Sequence, residues 1–316
     1  MKKVIQHCFI IAALLSSNSG FGYFYHVCVM RKVVNKSTNE QQLVLCLGDY
    51  HLKSHPANSS QRMYVESVLK RCVALKSKLI VEDLSSVNND GRMVCCNFGI
   101  NCSEGVLGHL ANKARSWGVI VDNVEYRYCR VAGVGPLLTN IRANPHSFRS
   151  SATIATLSLH KEVADEIEKI KKYNDGKVLN DLYKRTTGTV QSALSKTGLN
   201  GKATVADYCI PLQRKQYRQE LEKLCIFDSA LIDMNIIHSI AGSPDTPLIF
   251  VIAGGSHVEQ VCSALKSMGY ESLLKTSGIT APGLKKVLNS DATTVPSDIH
   301  PEPIDITILD KFIRLN

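Results

Sequence analysis

The sequence predicts an α/β fold, with a mostly parallel sheet, flanking helices and a large helical insertion. Three observations predict it. Short apolar runs alternate with stretches of helical period through residue 126. Helical periodicity alone then runs from about 145 to 240, and the alternation returns from 247 to 274. These changes divide the chain into a leader at 1–22, a first α/β half at 23–126 and a helical insertion or cap at 127–244. A second α/β half at 245–280 and an irregular C-terminal tail at 281–316 complete it.

The leader has a charged start in Lys2 and Lys3, an apolar core CFIIAALL and small residues up to Gly22. That is the layout of a signal peptide cleaved after Ser19 or Gly22, and it is too short to span a bilayer. Export to the periplasm or outside the cell follows from it; the alternative is a cytoplasmic protein in which 1–22 is a buried first element.

In the first half, 42–47 (QLVLCL) reads as a strand. Residues 59–75 carry Met63, Val65, Val68, Leu69 and Val73 at mostly helical spacing. The continuous apolar run KLIV in 78–84 suits a strand buried on both faces. A helix at 102–117 places Leu107, Leu110 and Ala114 on one face, with Ser103 as its cap. A third strand follows at 118–124 (GVIVDNV). In the insertion, Val163, Ile167 and Ile170 form one stripe, and Leu224, Phe227, Leu231 and Met234 another. Residues 247–253 (PLIFVIA) are a strand, 256–268 a helix and 270–274 a last strand. The tail after Ala281 holds four of the ten prolines and is expected to wrap the surface.

Composition narrows the function classes. The 316 residues are 44% hydrophobic and 21% charged, as in a folded globular protein, with a formal net charge of +9. Between Arg127 and Ile240 there are 17 Lys and Arg against 11 Asp and Glu, so about two thirds of the excess lies there. No block of five like charges occurs and aromatics are only 6%, so a nucleic-acid partner is not expected. Composition leaves the substrate class open, a small molecule or a peptide being the candidates. Of eleven cysteines, Cys46 and Cys262 fall inside apolar patterns and read as core residues. Cys95, Cys96 and Cys102 share a polar loop; without paired CxxC spacing zinc is a weak reading, and a loop-pinning disulfide is favoured if the protein is exported.

Ligands of parallel sheets bind outside the carboxyl ends of the strands, and those ends carry the reactive groups here. The first ends in Gly48-Asp49-Tyr50-His51, the second in Glu82-Asp83. The third carries Asp122 and runs into Glu125 and Arg127; the fourth ends in Gly254-Gly255-Ser256-His257. His51 and His257 are imidazoles that act as base, acid or metal ligand near neutral pH. Glu82 supplies a carboxylate to orient an imidazole, hold a cation or take a proton. Asp49 and Arg127 would position water or substrate, and Gly254 and Gly255 would let backbone approach a ligand before a helix N-terminus. Metal ligands would be His51, Glu82 and His257. His55 is set aside because Pro56 biases it from helical geometry. Ser256 lacks the Gly-x-Ser-x-Gly context of a nucleophile and reads as a helix cap.

These residues resemble a known superfamily. LGDYH, IVEDL and PLIFVIAGGSHVEQVCSALKSMGY are similar to the motifs of TraB-like proteins, TIKI Wnt-cleaving proteases, ChaN-like haem-binding lipoproteins and erythromycin esterases. Gly-x-x-His falls on Gly48 with His51 and on Gly254 with His257, the strand glutamate on Glu82, and Leu-x3-Gly on Leu265 with Gly269. The resemblance covers about 43–125 and 245–275. It implies a peptide- or ester-bond hydrolase whose histidines and glutamate surround a catalytic water, with a divalent metal (Mn, Co or Zn) in some members. It implies alternatively a haem- or anion-binding protein, or a non-catalytic member. Asp233 and Met234 match a further helix motif, but the arginine that precedes that pair in many members is not present.

Overall fold

The computed structural model describes residues 23–35, 37, 40–50, 57–82, 106–124, 158–173, 176–204, 207, 218–277 and 305–313. The leader, the Cys95–Cys102 loop, His51, His55, Asp83, Ser103, Glu125 and Arg127 lie outside these residues.

Six strands form one mixed sheet, β1 (Tyr23–Asn35), β2 (Glu40–Tyr50), β3 (Lys78–Val81), β4 (Ile120–Asn123), β5 (Leu248–Gly254) and β6 (Glu271–Ser277). Their order is β4-β3-β5-β2-β1-β6. The four strands β4, β3, β5 and β2 run parallel, whereas β1 is antiparallel to both β2 and β6. The sheet is thus α/β in character and mixed in direction. The antiparallel β1 follows from its direct connection to β2, because a short turn between adjacent strands reverses the chain.

Helices cover both faces. α1 (Ala57–Arg71) and α2 (Val106–Ser116) lie on one side. There Val65, Val68, Leu69, Leu107 and Leu110 pack with Val27, Leu45, Leu79 and Phe250 of the strands. On the other side lie α3 (Leu159–Ile170), α4 (Lys177–Lys196), α5 (Arg218–Ala241) and α6 (Gly255–Ser267). Their Val163, Leu179, Phe227, Leu231 and Val261 pack with Cys28, Cys46, Ile80 and Val251. The described helices between 127 and 244 therefore form a layer of the core itself. β5 in the middle is buried from Leu248 to Ala253, as its uninterrupted apolar run requires. Cys46 and Cys262 are buried free thiols.

Three local expectations change. Met63 is exposed, because it lies two residues from Val65 and so on the opposite side of α1 from the buried Val65–Val68–Leu69 stripe. The helix also ends sooner, passing into a 3-10 turn at Cys72–Leu75. In the tail, a turn at Ile306–Leu309 docks on α1, where Asp310 accepts hydrogen bonds from Tyr64 at 3.0 Å and Arg71 at 3.2 Å. Among the described residues no helix is long and apolar enough to cross a membrane.

β1 breaks its register with β2 twice, between Phe24 and His26 and between Val33 and Asn35. Phe24 lies opposite Asp49 and His26 opposite Gly48, so Tyr25 is an extra residue, a β-bulge. Beyond it Val27 and Val29 face α1 and α2, as Phe24 does, while Cys28 and Met30 face α6. The bulge thus inverts which parity of residue points to which face.

Candidate active site

The strand order creates the site. β5 is late in sequence yet inserts between β2 and β3, so its carboxyl end is flanked by the ends of two early strands. Asp49 of β2 lies opposite Gly254 of β5, and Val81 of β3 opposite Ile252. Glu82 follows β3 and is held by a backbone bond from its N–H to the Ile252 carbonyl at 2.9 Å. Its side chain is buried, and Oε2 accepts the Gly254 N–H at 2.8 Å. A buried carboxylate needs such donors, since desolvation otherwise strongly disfavours its charge.

Gly254 is the residue at which β5 turns into α6, with extended φ and ψ of −54° and 143°. The helix begins at Gly255, so Ser256 is its second residue rather than its cap, and no side chain caps this end. His257 follows one residue later and is buried. Its Nδ1 lies 2.8 Å from Oδ1 of Asp233 on α5, and its Nε2 lies 3.7 Å from Oε1 of Glu82. α5 is pinned over the strand ends by Asn235, whose Nδ2 donates to the Val124 carbonyl at 3.3 Å. Burial pushes the Asp233 carboxyl above the usual range; the neighbouring imidazole of His257 opposes this and Glu82 adds to it. With Asp233 ionised, Nδ1–H donates to it and the Nε2 lone pair faces Glu82.

Of the residues singled out from the sequence, Glu82, His257 and Gly254 meet here, and Asp49 is buried on the adjacent strand end. The Gly254 N–H is occupied by Glu82, and at Gly255 the Tyr25 ring takes the room that a side chain would need. Asp122 belongs to another cluster: Lys78 Nζ lies 2.6 Å from its carboxylate and Ser239 donates to it at 2.6 Å. Asp233 was not among the site residues chosen from strand ends, because it lies in mid-helix. Its signal was a lone carboxylate amid the apolar run ALIDMNII.

The donor set suits a divalent cation only in part. His257 Nε2 and Glu82 Oε1 face each other, and Asp233 behind the imidazole is the carboxylate that metal-bound histidines commonly carry. Among the described residues, however, no group of three His, Cys, Asp or Glu side chains is disposed to hold a metal. Comparison with protein-family models, curated proteins and solved structures gives no match to this chain.

Proposed function

We propose that this chain is a hydrolase of peptide or ester bonds, of the TraB/TIKI/erythromycin-esterase type, in which His257 is the general base. The observation that supports this reading is the buried imidazole of His257, bonded to Asp233 through Nδ1 and turned to Glu82 through Nε2. Asp233 fixes the tautomer and leaves Nε2 to accept a proton. A separation of 3.7 Å between Nε2 and Oε1 is wider than a direct hydrogen bond, and the attacking water would be one that bridges both atoms.

Proton transfer from that water to Nε2 would generate hydroxide for attack on a carbonyl carbon. The resulting imidazolium is stabilised by carboxylates on both sides, and Nε2–H then returns its proton to the leaving group. The Gly254 N–H holds Glu82 in place through Oε2, and Oε1 is the oxygen nearer the imidazole. His257, Glu82 and His51 are the residues that would hold a divalent cation, and such a cation would supply a more acidic water.

A screen of peptide and ester substrates, run beside His257→Ala, tests the reading. Turnover by the wild type that is lost in the variant supports it. Absence of turnover across the screen, with or without added Mn, Co or Zn, overturns it.

A further inference from the structure

The bulge in β1 is aimed at the start of α6. Tyr25 is 1% exposed, and a Cβ placed on Gly255 would collide with its hydroxyl oxygen and Cζ. The hydroxyl-bearing end of the ring therefore lies against Gly255. The next residue of the bulge is seated in the same manner: a Cβ on Gly48 would lie 2.7 Å from Cβ of His26 and 2.9 Å from the Gly255 Cα. At Gly48 the space is taken by the β-carbon of His26, with its ring Cγ 3.6 Å away, and both contacts border the Gly255 backbone. The residues on either side of that contact are those of the site. Gly254 donates to Glu82, and His257, two residues on, bonds Asp233.

We infer that Tyr25 is a positioning residue for this site: its ring, seated on Gly255, sets where α6 begins and so sets the His257–Glu82 separation. Regular alternation from Phe24 already turns residue 25 to the α6 side, and the extra residue adds His26 to it. Without the extra residue, regular alternation from Phe24, which faces α1 and α2, would not bring both Tyr25 and His26 to the α6 side. Gly255 is required at the socket because any β-carbon would force either the ring or the helix start to move. A displacement of about 1 Å at a catalytic group is large enough to cost rate heavily. The inference rests on the site assignment above but not on turnover.

The experiment follows the imidazole of His257 by NMR pH titration, its signal identified by loss in His257→Gln. Circular dichroism and thermal melting establish that each variant is folded. Tyr25→Leu, which removes the ring edge, is expected to move the His257 midpoint by about half a pH unit or more, a threefold change in proton affinity. Tyr25→Phe, which keeps Cζ and Cε1 beside Gly255 but removes the hydroxyl nearest to it, is expected to recover part of that shift. Gly255→Ala should also move the midpoint, and Gly255→Ala/Tyr25→Leu should lie closer to wild type than Gly255→Ala alone. A folded Tyr25→Leu protein whose His257 titrates as in wild type overturns the inference, whatever its melting temperature. Because this readout needs no substrate, failure to find hydrolysis would overturn the proposed reaction and leave Tyr25 still decided. If hydrolysis is found, Tyr25→Leu should lower kcat more than it changes KM.

Discussion

Two buried histidines lie at α6, His257 within it and His26 on β1 beside it, and their carboxylates treat them in opposite ways. His257 has Asp233 at 2.8 Å on one ring nitrogen and Glu82 at 3.7 Å from the other. His26, fully buried on β1, has no hydrogen bond on either ring nitrogen among the described residues; Glu259 of α6 is 3.6 Å from its Nε2. Lys275 of β6 has already claimed the other oxygen of Glu259, at 2.5 Å. Burial lowers the His26 pKa to about 4, the Lys275 cation adds to this, and Glu259 only partly opposes it. The difference teaches that a nearby carboxylate does not by itself make an imidazole a base. The carboxylate must reach a ring nitrogen at bonding distance, and its charge must not be spent on a lysine.

The largest effect expected from breaking this contrast is at the His257 pair. His257→Ala should lower kcat/KM about 10³-fold, the usual scale for a general base. Asp233→Asn should approach that loss and move the acid limb of the pH–rate profile downward, since a negative charge beside the imidazole is removed. Steady-state kinetics with any substrate found in the screen checks both. If either variant keeps wild-type activity, His257 is a packing residue like His26.

The next effect concerns His26 and is one of stability. Its folded-state pKa lies below the unfolded value, so the unfolded chain binds the proton first as pH falls. Stability is full above about pH 6.5 and is lost as pH drops toward 4, by about 3 kcal/mol at most. Urea unfolding at a series of pH values should show that slope, and His26→Gln should flatten it. An unchanged slope would mean that His26 is protonated alike in both states.

Smaller still is the role of Glu82. Glu82→Gln keeps an oxygen for the Gly254 N–H but removes the charge facing Nε2, and should cost about tenfold to a hundredfold in kcat. The smallest effect sharpens the helix start: Ser256→Ala should change the unfolding free energy by no more than about 0.5 kcal/mol. A true cap would cost about 1 kcal/mol. Denaturant melts distinguish the two.

Much of the fold was legible in the chain because core packing leaves periodic marks. The runs at 42–47, 78–84, 118–124 and 247–253 all lie in or across strands, and the stripes of α3 and α5 are buried where their side chains are described. β1 was not read, although YFYHVCVMRKVVN is rich in strand formers. Its alternation is inverted at Tyr25, and period-2 reading fails where a bulge adds a residue. The direction of β1 was equally hidden, so the sheet was expected to be mostly parallel.

By itself the sequence determined which residues end each strand in chemistry: Asp49, Glu82, Gly254 and His257 all stand at the carboxyl end of an apolar run. Chain order alone is local, and local order fixes where a strand stops and which residue follows it. What only the tertiary structure decided is which of these ends meet. β5 enters between β2 and β3, and that brings Glu82 to Gly254 across 172 positions of sequence. Asp233 reaches His257 only because α5 and α6 pack side by side on one face. Such pairings arise from burying two helix faces and a sheet together, an energy shared among many side chains and written in no single stretch of the chain.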